Sequence, residues 1–326
     1  MEKRRYEFIL QAIQPIAHHA ESFGNSAIHM RLKIRQPDGS FVNVPRITGD
    51  TMRHGLREAA AYAFLDAAGM LDTPALTESA LRLLFAGGMI TGADAGSVKI
   101  DGYREMVELC PPLALLGGCA QNRSIPGRLQ VDDAILICEE TSHLWSDWTR
   151  AFVAEMSIDT HRAHVEEVQR VRMDPSLVPH HRALLTDGGD AIVKRLGKSE
   201  KASAKKDAVE KDEAKSTMLP RRYETIVAGS LFMWGLECTC MSELDVDTLD
   251  AMCAAFTSNM VVGGKRATGN GRMRAIAAQN IAVLRPRDAA QTLDLVGPGN
   301  RHGERFAAHV RVRADRVRAW LSQVEA

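Results

Sequence analysis

Two stretches of the chain combine cations with backbone features that can bind an anion. The first surrounds a predicted strand-to-helix junction and consists of Arg46, Thr48, Asp50, Thr51, Arg53, His54 and Arg57. The first turn of a helix has unpaired N–H groups and a partial positive charge, which favour a phosphate. Arg53 and Arg57, one turn apart on the polar side, repel each other unless something negative faces them. The alternative is that Asp50 caps the helix and pairs with Arg53.

The second stretch is a loop rich in glycine and in cations. Its residues are Gly263, Gly264, Lys265, Arg266, Gly269, Asn270, Gly271, Arg272 and Arg274. Glycines permit backbone conformations that are closed to other residues, and exposed N–H groups together with cations can cradle a phosphate. No GxxxxGK[ST] motif occurs in the sequence, so nucleotide hydrolysis is not expected. The alternative is an ordinary glycine-rich connection between a helix and a strand.

Both stretches depend on the elements that flank them. Alternating apolar and polar residues predict strands, and a period of 3.6 residues predicts helices. The predicted strands are Tyr6–Pro15, Ile28–Arg35, Phe41–Val44, Arg128–Ile137, Arg221–Thr239, Met273–Leu284 and Ala307–Val312. The predicted helices are Asp50–Gly69, Thr77–Phe85, Val246–Ser258 and Asp315–Val324. This order predicts an α+β fold with the sheet of ferredoxins and RNA-recognition motifs (RRMs), carrying insertions.

Composition limits the function classes. The 326 residues are 45% hydrophobic, as in a globular protein. Lys plus Arg equal Asp plus Glu at 41 each, so any affinity for nucleic acid must come from local patches. The six cysteines include no CxxC pair, so we expect reduced thiols in a cytoplasmic protein, with no metal site and no cofactor. No apolar run approaches the roughly 20 residues that span a bilayer, so we expect no membrane partner.

Four segments, in order, resemble the RAMP superfamily of CRISPR proteins. Pro45–Arg57 resembles the family's PGSSLKGALR-like turn into a helix, and Gly263–Arg272 resembles its GGGxxxGxGR-like loop. Between them, GRLQVDDAIL resembles an xLxVxDAxL strand, and Val227–Phe232 resembles an xPxGxxF segment. The chain length, the first motif and the segment Pro15–Asn25 are most similar to the type IV backbone subunit. The resemblance covers most of the chain.

The resemblance implies a hand-like architecture. An RRM-like palm would comprise residues 1–89, 126–139 and 221–326, a β-hairpin thumb would occupy 90–125, and helical fingers would occupy 140–220, including the charged segment 197–217. It also implies that the palm binds a CRISPR RNA guide, with His18, His19 and Asn25 as further guide contacts. Other expected partners are copies of the same chain, a guide-end-capping RAMP subunit, a large subunit, a helicase, and target DNA or RNA paired with the guide.

Catalysis is not expected. Type III relatives cut RNA with an aspartate ahead of the first motif, whereas this sequence has no aspartate there before Asp38, which lies in a Pro-Asp-Gly turn. His18 and His19 could serve as acid and base, but adjacent residues of an extended chain point to opposite faces. The rival hypothesis is a RAMP-type endoribonuclease acting on repeat or target RNA. A third hypothesis is a protein-interaction module that binds no RNA.

Overall fold

A computed structural model describes most of the chain. The described residues are 2–23, 26–72, 76–88, 96–97, 100–120, 123–170, 221–282, 291–292 and 303–324. They form two compact units. The first unit comprises Met1–Ala20, His29–Glu166 and Thr225–Ala326, and the second comprises Glu21–Ile28 and Glu167–Glu224. The charged segment 197–217 lies outside the described residues.

The described residues form fifteen β-strands and eight α-helices. The strands are β1 (Glu2–Ala12), β2 (His19–Phe23), β3 (Ser26–His29), β4 (Arg31–Arg35), β5 (Phe41–Ile47), β6 (Gly96–Ser97), β7 (Gly118–Ala120), β8 (Arg123–Ile125), β9 (Leu129–Val131), β10 (Ala134–Leu136), β11 (Val165–Arg170), β12 (Arg221–Ile226), β13 (Leu231–Cys240), β14 (Met273–Ala282) and β15 (Gln291–Thr292). The α-helices are α1 (Gly49–Ala67), α2 (Glu78–Ala86), α3 (Ile100–Leu109), α4 (Pro111–Leu116), α5 (Asp147–Phe152), α6 (Glu243–Ser258), α7 (Glu304–Val312) and α8 (Ala314–Gln323).

The main sheet of the first unit confirms the predicted fold class. Its order is β15-β14-β1-β13-β10-β5-β4, with β9 also paired to β13. The central strands β14, β1, β13 and β10 pair antiparallel with their neighbours. The succession β1, α1, β10, β13, α6, β14 gives the βαββαβ connectivity of ferredoxin-like domains. Strands β4 and β5 extend this sheet beyond β10.

The core of this unit lies between the sheet and helices α1 and α6. Tyr6, Phe8 and Leu10 of β1 share one face of the strand because side chains alternate along it, and all three are fully buried. Phe8 and Phe256 both pack against Trp234. Trp234 is therefore part of the core.

Two predicted elements differ in the structure. Residues 304–312 form helix α7, so the strand predicted at Ala307–Val312 is wrong. The segment alternates over a few residues, but its buried side chains Phe306 and Val310 are four residues apart, which is helical spacing. The interval 90–125, predicted as a β-hairpin, contains the β7–β8 hairpin and also helices α3 and α4. Helix α4 is buried throughout, because its apolar residues belong to the core.

The predicted finger region 140–220 does not form one body. Residues up to Glu166 belong to the first unit, where Trp145, Trp148 and Phe152 pack against Ile9 on the sheet face opposite the core helices. The second unit has its own sheet, in which β12 runs parallel to β3. Among the described helices, none combines the length and the apolar composition needed to cross a membrane.

Candidate nucleic-acid interface

The N-terminus of α1 is already occupied by an anion of the chain itself. Thr48 is the N-cap, and its hydroxyl accepts a hydrogen bond from the N–H of Thr51 at 3.4 Å. The N–H of Gly49 donates to Oδ1 of Asp133 at 2.7 Å, and the same carboxylate pairs with Arg46. The prediction that this helix end is open to a phosphate is therefore wrong, and so is the alternative in which Asp50 provides the cap.

Arg53 and Arg57 bind backbone carbonyl groups. Arg53 donates to the carbonyl oxygens of Leu129, at 2.9 Å, and of Leu116, while Arg57 donates to that of Gly117 at 3.0 Å. Arg57 is only 7% exposed, which contradicts its predicted position on the polar side of the helix. Burial, with Arg53 nearby, lowers the pKa of Arg57 to about 10. The negative partner that this pair requires is the C-terminal end of α4, whose carbonyl groups carry partial negative charge.

His18 is an additional polar partner of the helix end. The N–H of Thr48 donates to Nε2 of His18 at 3.3 Å, so this nitrogen is an acceptor and the ring is neutral. Burial lowers the pKa of His18, and the charges of His19 and Arg46 act in the same direction. The ring of His29 lies 6.0 Å from that of His18, edge to face. His19 begins β2, and Asn25 lies outside the described residues.

The glycine-basic loop is held rigidly by its own hydrogen bonds. The carbonyl oxygen of Lys265 accepts from the N–H and the hydroxyl of Thr268, at 3.0 and 2.9 Å. It also accepts from the side-chain amide of Asn270 at 3.5 Å, and that amide donates to the Thr268 hydroxyl at 3.1 Å. Asn270 is only 6% exposed. Its predicted contact with RNA is therefore replaced by a structural role inside the loop.

The N–H groups of three loop glycines, Gly264, Gly269 and Gly271, are not free to bind a phosphate. Those of Gly264 and Gly271 donate to the carbonyl oxygens of Ala17 and Pro15, at 2.7 and 2.9 Å, and that of Gly269 donates to Arg266 within the loop. A phosphate cradle built from the N–H groups of these three glycines, including the predicted contact at Gly264, is therefore excluded.

The side chains of the loop cations are accessible. Lys265, Arg266, Arg272 and Arg274 are all exposed, as is His54 on the neighbouring helix α1. Lys265 has a φ of 58° and is the only non-glycine residue with positive φ in the described part of the chain. Arg266 approaches Glu58 of α1 at 3.5 Å, and Arg274 donates to Gln11 at 3.0 and 2.6 Å. No described residue accepts a hydrogen bond or ion pair from the guanidinium of Arg272.

Residues 15–18 connect the two stretches that were predicted to bind an anion. Pro15 and Ala17 anchor the loop through their carbonyl groups, and His18 contacts the N-cap of α1. The structure therefore places the loop cations and the start of α1 at the same end of the sheet. Asp133, which neutralises the helix end, was not identified among the site residues. The signal was present in the GRLQVDDAIL segment, where two aspartates follow a predicted strand.

The open face of the main sheet is less suited to RNA. On RRM domains, aromatic residues on the open sheet face stack on bases. Here part of that face is covered by Trp145 and Trp148, and another part carries internal polar pairs such as Arg5 with Asp132 at 2.8 Å.

Cys238 and Cys240 are both buried on the same side of β13. Among the described residues, no group of three or more His, Cys, Asp or Glu could hold a metal ion.

Comparisons with known proteins give similarities to solved structures but no match to a family model or a curated protein. Among solved structures, a similar chain comes from a structure described as a Type IV-B CRISPR Complex, with a TM-score of 0.49 and 17% sequence identity. The similarity covers 91% of this chain and 93% of that chain.

Proposed function

We propose that this chain is a non-catalytic backbone subunit of a CRISPR effector complex, which binds the guide RNA and assembles with further copies along it. The observation that carries the proposal is the rigid loop 263–272, with its exposed cations at the end of an RRM-like sheet where α1 begins. The four RAMP-like segments, in their order along the chain, support the same function.

The contact that we propose is with phosphates, and it is made by side chains. Lys265, Arg266 and Arg272 are exposed on a scaffold fixed by backbone hydrogen bonds, so little backbone entropy is lost when they bind. Phosphate contacts position a strand without reading its sequence, which leaves the base edges free to pair with a target. Arg46, Arg53 and Arg57 are left out of this contact because they bind acceptors of the chain itself.

The salt dependence of RNA binding tests this assignment. Replacing Lys265, Arg266 and Arg272 together by Ala should weaken binding of a single-stranded RNA regardless of its sequence. Each lost phosphate contact reduces the magnitude of the negative slope of log K against log salt concentration by about 0.7. The loss of three contacts should therefore reduce that magnitude by about 2. Fluorescence anisotropy titrations at several salt concentrations measure both quantities.

A matched control removes the same charge elsewhere. Arg305, Arg311 and Arg318 are exposed on α7 and α8, and their joint replacement by Ala should leave both the affinity and the slope unchanged. An equal loss in both triple variants would show that net charge, not the loop, attracts RNA. No loss in the loop variant would refute the loop as the binding site.

The assembly state separates the proposal from the endoribonuclease alternative. A backbone subunit expressed with a guide should form a regular array of copies in electron micrographs and leave a labelled RNA intact. An isolated particle that cleaves the labelled RNA would instead favour the nuclease. The affinity of such an array should be cooperative along the strand.

A further inference from the structure

A cavity of about 750 Å³ opens beside the glycine-basic loop in the first unit. One wall is helix α1, where Gly55, Ala59 and Ala63 follow one another at intervals of four residues. Successive residues at this spacing lie on one face of a helix. Gly55 lets α1 approach the ring of Phe256 on α6, since an added Cβ would lie 2.7 Å from that ring, and the small side chains of Ala59 and Ala63 leave the neighbouring space open.

The lining combines an aromatic ring with polar groups. Tyr62 is 52% exposed, and its ring is held edge to face against that of Phe85, with 5.1 Å between ring centroids. Gln14 and Asn259 also line the cavity, and an amide side chain can both donate and accept hydrogen bonds. Small-molecule sites of this volume are mostly apolar with a few polar groups that fix orientation. A planar heterocycle with polar edges fits that description.

The cavity shares two residues with the proposed phosphate contact. Arg266 and Arg272 belong to the loop and also line the cavity. A strand whose phosphates contact these guanidinium groups therefore places its attached bases at the cavity. The contact of Arg266 with Glu58 at 3.5 Å joins the loop to the α1 wall.

We propose that this cavity receives one unstacked base of the bound RNA strand, with Tyr62 as the stacking partner. The inference rests on the proposed function, because the strand must first be held by the loop. It adds a contact that depends on bases rather than on phosphates. Single-stranded nucleic acids are commonly bound by this combination of a cationic track and an aromatic ring.

Two variants of the full-length chain test the cavity independently. Ala63→Leu fills it without introducing a poor helix former, and Tyr62→Leu removes the ring but keeps an apolar side chain. Each should weaken binding of single-stranded RNA by about tenfold, within the range measured for stacking of one base on an aromatic side chain. The salt slope should stay unchanged, because no phosphate contact is lost.

An abasic ribose-phosphate strand of the same length isolates the base contribution. Both variants should bind this strand as the unaltered protein does. Ala308→Leu on α7 and Phe41→Leu are the matched controls, since Ala308 is an exposed helical alanine, Phe41 is a 58% exposed aromatic residue, and neither lines the cavity. Both controls should bind RNA normally.

Several results would overturn the inference. RNA affinity that is unchanged in Tyr62→Leu, or an equal loss of affinity for the abasic strand, would exclude a base in the cavity. Unchanged RNA affinity with loss of self-association would assign the cavity to a protein contact.

If RNA binding depends on Lys265 and Arg272 but tolerates both cavity variants, only this inference fails. If the unaltered chain binds no RNA, the proposed function fails with it. Should Ala63→Leu not fold, the exposed Tyr62 position still decides the outcome.

Discussion

Two glycines of the loop should respond very differently to the same substitution. Gly269 and Gly271 both have positive φ, at 83° and 94°. A Cβ at Gly269 would meet nothing within 4 Å, whereas a Cβ at Gly271 would lie 2.1 Å from the carbonyl oxygen of Val262. We therefore expect Gly269→Ala to carry only the conformational cost and Gly271→Ala to displace backbone.

The magnitudes follow from the hydrogen bonds at stake. A non-glycine residue in the left-handed region costs about 1 to 2 kcal/mol. At Gly271, relief of the clash also disrupts the bonds from Gly271 N–H to Pro15 O and from Val262 N–H to Gly271 O, both 2.9 Å long, at about 1 kcal/mol each. Gly271→Ala should therefore lower the free energy of unfolding by about 3 to 4 kcal/mol, and Gly269→Ala by about 1 to 2 kcal/mol.

Urea unfolding, followed by circular dichroism, measures both values, and RNA titration of the folded variants measures the consequence for binding. Gly271→Ala should also reduce RNA affinity, because the loop loses its anchor at Pro15. Gly264→Ala is the control, since its φ is not positive and the nearest atom to an added Cβ is 3.6 Å away. Equal destabilisation by the Gly269 and Gly271 substitutions would refute the inferred packing of the loop.

Two further predictions concern the start of α1 and the buried histidines. Asp133→Asn should lower the free energy of unfolding by about 1 to 2 kcal/mol, because a charge at a helix N-terminus and the ion pair with Arg46 are lost. The same substitution should not weaken RNA binding. Weaker binding would show that this helix end is part of the RNA site. Burial lowers the pKa of His18 and His164 from the ordinary value of 6.5. Below pH 6.5 the unfolded chain therefore binds more protons than the folded chain. The free energy of unfolding should fall as the pH drops from about 6.5 towards the lowered pKa values. Urea unfolding at several pH values measures the slope, and a slope that is unchanged in a His18→Gln/His164→Asn double variant would assign it to other groups.

The fold could be predicted from the sequence largely because its core elements are long and periodic. Helix α1 keeps Met52, Leu56, Ala60 and Phe64 on one buried face, and β1 alternates over most of its length. Helix α7 was missed because nine residues are too few to separate the two periods when Ala, Val and Arg follow one another. Helix α4 was missed because Pro111-Pro112 suggests a loop, although proline is also favoured in the first turn of a helix.

The candidate site was harder to predict because the sequence shows cations but not their acceptors. The carboxylate that pairs with Arg46 is 87 residues away, and the carbonyl that binds Arg57 is 60 residues away. Neither distance is visible in local spacing. An arginine beside a helix N-terminus is therefore as compatible with an internal partner as with a phosphate. The loop differs because its internal hydrogen bonds are made by its backbone, by Thr268 and Asn270, and by one cation only, Arg266, whose Nε donates to the carbonyl oxygen of Gly263 at 3.3 Å.

This difference allows a chain with no net charge to present a local cationic surface. Electrostatic attraction depends on cations whose charge is not neutralised nearby, and the total count of 41 against 41 contains no information about their placement. In the loop, backbone carbonyls, Thr268, Asn270 and the hydrogen bond from Arg266 to Gly263 fix the geometry, and the guanidinium of Arg272 takes no part in it. At the start of α1 the reverse holds, since Arg46, Arg53 and Arg57 bind acceptors that the fold itself supplies. Replacing these three arginines should therefore affect stability first, whereas replacing Arg272 should affect RNA affinity alone.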